Sequence, residues 1–471
     1  MPLFGQPVSL VAPLPSLGVI DAGLTIPRRS FDRWTMGAKP PTTTLVSVAG
    51  SALVVNPVPG NGGKVATFPL TGTCRLRIDN EEMLVSAGLG GTSWTVTRAT
   101  NGTTGVAHTA GANVLGSGIT HVALCGDSTM QGTVGANDEF AQRLSRMLGR
   151  TMGGANGLVG RGFRGLWLSD NNVAGGAGNS IAEWSALGTW SLVTPGSADD
   201  QAPWGWGLTA SGSANVLIWT RPANIQVAAI EVQLVPSVNL NQPSYSTDGG
   251  TTWINIPFSS PLHELQSFIV PITNPTDFRI RAANAAGTAQ SVVINGIIVW
   301  STAPNFGTTQ GVMVHNLGMD GNTLANFVHA NASGDSLAFF DGHQGSVYPD
   351  LVVVGPFTND VISWNPATYI ANLTTLVNRV SPYADVLVVG YAEQNSRSTT
   401  DQASLRAACK TVAATLNVGE LDVYDAFAAE GLVGYAAVNA AGLMFDGLHC
   451  NQAGNNAIAA RLMRALGLTT L

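Results

Sequence analysis

The sequence predicts an α/β domain that is interrupted by a β-rich segment and preceded by a small β domain. Short, fully apolar runs followed by helical patterns occur at 120–148 and again after 310, for example 351–354 and 386–389. Such runs are typical of a parallel sheet that is buried on both faces. Between these stretches the chain instead carries strand-like runs separated by turn residues, as at 216–219 and 292–300. The simplest architecture is one α/β domain into which a β-sandwich of the jelly-roll type is inserted.

Five segments follow from these patterns. The first is a Pro- and Gly-rich extended arm, and the second alternates in strand-like fashion between Gly and Asn turns, which predicts a small β domain. The third and fifth are the two parts of the α/β domain, separated by the β-sandwich. In order, the segments cover residues 1–40, 41–117, 118–185, 186–302 and 303–471. Helical periodicity predicts helices over 138–148, about 370–380, 401–416 and 452–466.

Composition excludes several classes of function. The net charge of −7 comes without a basic stripe, so nucleic acid is not an expected partner. Residues 1–29 are apolar but broken by prolines and lack a basic start, which argues against a signal peptide. No run of 18 apolar residues occurs, so we expect a soluble protein without a membrane span.

The four cysteines lack the spacing of a metal site. Cys74, Cys125, Cys409 and Cys450 form no CxxC pair, and neither a metal nor a cofactor is expected. Cys125 and Cys450 flank two segments of chemical interest and could lie close together. Buried free thiols are the favoured interpretation, and a disulfide between them is the alternative.

The chemical signal begins at a serine that follows an apolar run. Residues 121–125 lead into a Gly-flanked turn at Ser128, and far downstream Asp446 and His449 stand three residues apart before a C-terminal helix. A serine hydroxyl becomes a nucleophile when a histidine accepts its proton and a carboxylate orients that histidine. This combination predicts a serine esterase.

Four blocks, in order, resemble those of the SGNH (GDSL-type) hydrolases. They are Gly-Asp-Ser at 126–128, Asn-Leu-Gly-Met-Asp-Gly-Asn-Thr at 316–323, Gly-Pro-Phe-Thr-Asn-Asp at 355–360 and Asp-Gly-Leu-His at 446–449. The third block is two residues longer than is usual in the family, and the gap between the first two blocks is wider. The resemblance covers 118–185 and 303–471, and it implies an SGNH-like three-layer sandwich around a parallel sheet.

The resemblance also implies roles for particular residues. The catalytic residues would be Ser128, Asp446 and His449, and the oxyanion hole would combine the Ser128 N–H, the Gly321 N–H and the Asn359 side-chain amide. Simpler interpretations stay open: Ser128 or Asp446 could cap the helix that follows it, His449 could be a surface histidine, and Asn359 could satisfy a loop backbone.

Two neighbouring features do not belong to the predicted catalytic set. Asp127 is interpreted as structural, although it lies inside the first block. A literal Gly-Asp-Ser-Leu string at 334–337 falls after the second block and follows a helical pattern, so we interpret Ser336 as a loop residue. His315 and His343 are not expected to be ligands.

A second resemblance concerns the source of the protein. Residues 75–108 resemble a small β-module of bacteriophage tail and receptor-binding proteins. This implies a virion protein that reaches the host cell surface without a signal peptide and contacts other phage tail proteins. A homo-oligomer is compatible with such a role, but no heptads or repeats demonstrate one.

The expected function is removal of O-acyl groups, above all O-acetyl groups, from a bacterial cell-surface or cell-wall polysaccharide. Some family members that act on cell-wall O-acetyl groups share such an inserted β segment. The alternatives are a lipid or short-chain ester hydrolase and a non-catalytic receptor-binding tail protein, and acyl transfer would use the same residues. Trp204 and Trp206 are the candidate substrate-binding residues in the sandwich, whereas Trp219 and Trp300 are expected in its core.

Overall fold

The structure is a computed structural model of the 471-residue chain. It describes residues 24–25, 42–55, 74–79, 81–88, 91–100, 104–116, 119–131, 143–144, 147–148, 160–165, 184–192, 208–223, 225–236, 242–257, 265–301, 311–319, 321–328, 340, 349–381 and 384–466.

A mostly parallel sheet forms the centre of the molecule. Within the described ranges its strands are β1 (Leu24–Thr25), β8 (Ile119–Asp127), β20 (Gly311–Met319), β21 (Leu351–Val354), β22 (Asp385–Gly390) and β23 (Gly419–Asp422). Their spatial order is β1-β23-β22-β21-β8-β20, and β1 is antiparallel to its neighbour while the other pairs are parallel. The predicted α/β class is therefore confirmed.

Both faces of this sheet are buried, which explains the continuous apolar runs. Along β8, Val122 and Leu124 join one hydrophobic cluster, and Ala123 and Cys125 join the cluster on the opposite face. Helices and short turns of helix lie on either side: α1 (Ser128–Gln131), α2 (Leu324–Phe327), a 3₁₀ helix (Thr358–Ser363), α3 (Pro366–Val380), α4 (Thr399–Leu416), α5 (Val423–Ala428), α6 (Gly434–Ala440) and α7 (Gln452–Ala465).

The long helices agree with the periodicity of the sequence, and the differences lie at their starts. Helix α3 begins at Pro366, earlier than predicted, because Asn365 caps it by accepting from the Thr368 N–H and proline suits the first helical position. Helix α4 begins at Thr399 because Ser398 caps it. The predicted helix over 138–148 lies largely outside the described residues, although 143–144 and 147–148 are helical.

Two antiparallel sheets lie in the sequence between the neighbouring strands β8 and β20. Their strands are β9 Gly160–Gly165, β10 Trp184–Leu187, β11 Ser191–Leu192, β12 Leu208–Ala210, β13 Val216–Thr220, β14 Ala229–Pro236, β15 Ser244–Ser246, β16 Ile254–Asn255, β17 Gln266–Pro271, β18 Asp277–Arg281 and β19 Val292–Trp300. One sheet has the order β10-β13-β18-β15-β16, and the other has the order β11-β12-β19-β14-β17 with β9 beside β19.

The two sheets share a core, and the second sheet also packs against the α/β layer. Trp219 of β13 and Ile297 of β19 belong to the shared core, whereas Ile298 and Trp300 of β19 join the cluster that contains Met313 of β20. Trp219 and Trp300 are 0% and 2% exposed, which confirms the prediction that both are core residues.

A closed barrel lies in the sequence between strands β1 and β8 of the central sheet. Its strands are β2 (Thr42–Ala49), β3 (Ala52–Val55), β4 (Cys74–Ile78), β5 (Glu81–Ala87), β6 (Ser93–Thr97) and β7 (Asn113–Gly116), in the order β2-β3-β6-β5-β4-β7. Trp94 and alternating aliphatic residues fill its interior. The boundaries between the predicted segments stay predictions. No helix in the described part of the chain has the length and apolarity needed to cross a membrane.

Candidate active site

Ser128 lies where the central strand of the sheet ends and a short helix begins. Strand β8 ends at Asp127, and Ser128 is the first residue of α1. Gly126 is required here because a Cβ at this position would approach the Met130 Cβ to 2.6 Å and the Pro356 oxygen to 3.0 Å. The turn thus packs tightly against the segment after β21, and the Ser128 side chain faces a neighbouring residue from the other end of the chain.

That neighbour is His449. Its Nε2 lies 3.0 Å from the Ser128 Oγ, and its Nδ1 lies 2.9 Å from the Asp446 Oδ2. The other carboxylate oxygen of Asp446 accepts from the backbone N–H groups of Leu448 and His449 at 2.6 and 2.7 Å. The serine, histidine and carboxylate therefore form one hydrogen-bonded series, in the order that nucleophile activation needs.

The local contacts keep Asp446 ionised. Burial raises the pKa of this carboxyl, but the hydrogen bonds from the His449 ring and from the two N–H groups outweigh burial and hold the pKa below its ordinary value. Asp446 does not cap α7, because Asn451 does so by accepting from the N–H groups of Ala453 and Gly454. The carboxylate is thus available to the imidazole.

Asp127 joins the Ser128 turn to the 3₁₀ helix. It is fully buried, and its Oδ1 accepts from the N–H and the hydroxyl of Thr129. Its Oδ2 accepts from the N–H and the hydroxyl of Thr358 and, at 3.3 Å, from the Asn359 N–H. Burial raises the pKa of Asp127, although these donors oppose the rise. Its contacts support the structural interpretation.

Asn359 and Gly321 lie at the carboxyl ends of the strands that flank β8. The Asn359 Nδ2 donates to the Asn322 oxygen at 3.1 Å, which connects the 3₁₀ helix to the segment after β20. Strand β20 pairs Met319 with Asp127, so Gly321 follows this pair by two residues. Gly321 has a φ of +71°, and a Cβ there would meet no atom within 4 Å. Within the described structure, its backbone conformation is therefore the reason for glycine.

The sequence did not reveal the contribution of the segment after β22. Gln394, which is 1% exposed, donates through Nε2 to the Leu448 oxygen at 3.0 Å, and the Asn395 N–H donates to the Gly447 oxygen at 2.9 Å. These contacts hold the Asp446–His449 turn. The available signal was positional, because this segment, like those that carry Ser128, Gly321 and Asn359, directly follows a strand of the parallel sheet.

Some of the residues singled out in the sequence lie outside the described structure, and others lie away from Ser128. Trp204, Trp206, His343 and the Gly-Asp-Ser-Leu string at 334–337 lie outside the described residues. His315 is buried beside His121, with 2.9 Å between their ring nitrogens. Among the described residues no group of three His, Cys, Asp or Glu side chains could hold a metal ion.

The prediction of buried free thiols is confirmed within the described part of the chain. The described cysteines Cys125, Cys409 and Cys450 are buried free thiols. Burial raises the pKa of Cys450 to about 11, which keeps this thiol protonated beside the site.

Comparison with known proteins gives a fold relationship. No family profile matches the sequence, and no curated protein matches it. Among solved structures, a peptidoglycan O-acetylesterase superposes with a TM-score of 0.51 at 18% identity, covering 74% of this chain and 91% of that protein. The chain shares the fold of that esterase. This agrees with the α/β architecture of the described sheet.

Other esterases overlap to a smaller extent. An acetylxylan esterase from Geobacillus stearothermophilus gives a TM-score of 0.27 at 19% identity, over 36% of this chain and 76% of that one. A family two carbohydrate esterase from Cellvibrio japonicus gives 0.23 at 13% identity, over 60% of this chain and 96% of that one.

Proposed function

We propose that the chain is a serine esterase in which Ser128, His449 and Asp446 are the catalytic residues. The observation that carries this proposal is the hydrogen-bonded series from the Ser128 hydroxyl through the His449 ring to the Asp446 carboxylate. It stands at the carboxyl ends of a parallel sheet, in a fold shared with an O-acetylesterase. Such edges are where open α/β sheets bind their ligands.

The first half of the reaction forms an acyl-enzyme. The Ser128 oxygen attacks the ester carbonyl while the His449 Nε2 takes its proton, and Asp446 stabilises the resulting imidazolium through Nδ1. His449 then gives this proton to the leaving sugar oxygen as its bond to the acyl carbon breaks. In the second half, water attacks the acyl-enzyme while His449 takes a proton from it, and His449 returns that proton to the Ser128 oxygen as the carboxylic acid leaves.

Three donors would stabilise the tetrahedral intermediate. They are the N–H groups of Ser128 and Gly321 and the side-chain amide of Asn359, all at the ends of β8, β20 and β21. Each such donor is worth about 3–4 kcal/mol of transition-state stabilisation. Because Asp127 ties the Ser128 turn to the backbone of Asn359, two of the donors are held relative to each other before substrate binds.

We propose O-acetylated bacterial cell-surface or cell-wall polysaccharide as the substrate. Two observations support this choice: the shared fold with a peptidoglycan O-acetylesterase, and the two antiparallel sheets that lie between β8 and β20. Trp204 and Trp206 are proposed to stack on sugar rings, since an aromatic face offers a broad apolar surface to a pyranose.

We further propose that the enzyme acts from a bacteriophage tail at the host cell surface, together with other tail proteins. The similarity of 75–108 to a tail-type β-module supports this location. Immuno-electron microscopy of virions produced by a strain that carries the coding sequence tests it, and label that is absent from tails would overturn it.

The activity test compares acetate release from purified envelope polysaccharide by the wild type, Ser128→Ala and Ser336→Ala. The third variant is a matched control, because it removes the serine of the literal Gly-Asp-Ser-Leu string. We expect release by the wild type and Ser336→Ala and a loss of at least about 10³-fold in Ser128→Ala.

Other outcomes separate the alternatives. Cleavage of aryl acetates without release from polysaccharide would favour a lipid or another short acyl ester as the substrate. Inactivity on both substrates, in folded wild-type protein, would overturn the esterase proposal and favour a non-catalytic binding protein.

A further inference from the structure

The segment after β22 brings a cation to the proposed oxyanion hole. The Arg397 Nη2 donates to the Asn359 Oδ1 at 3.3 Å. Among the described residues no carboxylate pairs with Arg397, and its buried Nε has no hydrogen-bond partner there. Because this arginine forms no ion pair within the described structure, a structural salt bridge does not explain its contact with Asn359.

The backbone beneath Arg397 is firmly held. The Gln402 Nε2 donates to the oxygens of both Gln394 and Arg397, and the Gln402 Oε1 accepts from the Gln394 N–H. Gln402 projects from α4 and is 5% exposed. The guanidinium is therefore presented from a rigid support, which is what a residue that positions another side chain requires.

The orientation of the Asn359 carboxamide must be set by neighbouring groups. The two ends of a carboxamide have nearly the same shape, but an oxyanion is stabilised only by the NH₂ end. The Asn359 Nδ2 contacts a carbonyl oxygen, that of Asn322, whereas its Oδ1 contacts a guanidinium, which has donors only. A flipped amide would place the Asn359 oxygen against the Asn322 oxygen and the Asn359 NH₂ group against the Arg397 guanidinium.

We propose that Arg397 is a positioning residue that orients the Asn359 carboxamide for oxyanion binding. One N–H of Nδ2 is used by the Asn322 oxygen, which leaves the second N–H for the substrate. The positive charge on the acceptor side also polarises the amide and strengthens its remaining donor. As a statement about catalysis, this inference rests on the proposed esterase function.

The kinetic test is a double-mutant cycle on an aryl acetate, using the wild type, Arg397→Met, Asn359→Ala and the combined variant. We expect Arg397→Met to lower kcat about tenfold with KM within about twofold, since one oriented donor is weakened in the transition state. In the Asn359→Ala background Arg397→Met should cause no further loss. Arg397→Lys should lie between, and the neighbouring, exposed Ser396→Ala is the control that stays at the wild-type rate.

A second readout does not need turnover. In protein labelled with ¹⁵N-asparagine, the Asn359 amide signals are identified by their disappearance in Asn359→Ala. We expect two sharp, distinct proton signals in the wild type and exchange broadening in Arg397→Met, because the flip is no longer opposed.

The two readouts separate the inference from the proposed function. An unchanged amide spectrum in Arg397→Met, or full additivity in the cycle, would overturn the positioning role. A wild type that cleaves no ester but shows the spectral change would overturn the esterase proposal and leave the orienting contact supported.

Discussion

Replacing Asp127 by alanine tests how the site is held together. The carboxylate is 0% exposed and joins two segments that are far apart in the sequence, the Ser128 turn and the 3₁₀ helix that carries Asn359. Alanine removes every acceptor at this point and adds no strain to the backbone. The variant therefore isolates the connection between the proposed nucleophile and the proposed oxyanion hole.

The magnitude follows from the donors that lose their acceptor. The N–H groups of Thr129 and Thr358 are fixed by the backbone, whereas the two hydroxyls can rotate toward other acceptors. A buried donor without a partner costs about 1–3 kcal/mol. Since burial already penalises the ionised Asp127 and raises its pKa, part of this loss is recovered in the alanine variant. We expect the local free energy of opening to fall by about 2–4 kcal/mol.

Hydrogen exchange measures this change directly. Peptides that cover 128–131 and 358–363 should exchange about 30–1000-fold faster in Asp127→Ala. This ratio corresponds to a fall of about 2–4 kcal/mol in the local free energy of opening. Because the backbone that carries Asn359 is then no longer tied to the Ser128 turn, kcat should fall about 10²-fold. Thr129→Ser keeps the hydroxyl and serves as the control, with exchange and kcat close to wild type. Wild-type exchange in both peptides of Asp127→Ala would refute the reasoning.

Two further predictions concern the carboxylates on either side of the site. In Asp446→Asn the side chain still accepts from the two backbone N–H groups but turns an NH₂ group toward the Nδ1 of His449. The Nε2 of His449 then carries the proton and cannot accept from Ser128, so kcat should fall about 10³–10⁴-fold. A loss below tenfold would contradict this prediction. Burial raises the pKa of Asp360 from 3.8 to about 6, so its contribution to stability is present at low pH and is lost as pH rises through 6. Asp360→Asn keeps an acceptor for the Leu324 N–H. Its free energy of unfolding in urea, relative to that of the wild type, should rise by about 2–3 kcal/mol between pH 4 and pH 7.5. A fall over that interval would show that the predicted direction of the pH dependence is wrong.

The sequence identified the parts of the site that depend on local chain geometry. The Asp-x-x-His spacing places Asp446 where its carboxylate can accept from the N–H groups of Leu448 and His449 and from the His449 ring, all within one turn. An apolar strand that ends in Gly-Asp-Ser delivers Ser128 to the edge of a sheet by the same logic. Family resemblance supplied Gly321 and Asn359, which local pattern alone would not have selected.

Other features depend on which strands become neighbours. Asp127 connects two segments because β8 lies beside β21, and Arg397 reaches Asn359 because β22 lies on the other side of β21. The capped start of α3 at Asn365 was encoded locally, by contrast, and could have been found from the Asn-Pro pair. Sequence reasoning missed Gln394 and Arg397 because no motif marks their segment, and its position after an apolar strand was the only signal.

The sequence by itself determined the chemical groups of this protein, the α/β class and the turns that present Ser128 and His449. These depend on residue type and on contacts a few positions apart, which a linear pattern records. Only the tertiary structure decided that the ends of β8, β20, β21 and β22 meet at one place, where the buried Asp127 carboxylate accepts from two segments and the Arg397 guanidinium donates to Asn359. The physical reason is that sheet order is set by burying both faces of the sheet at once, a property of the whole chain.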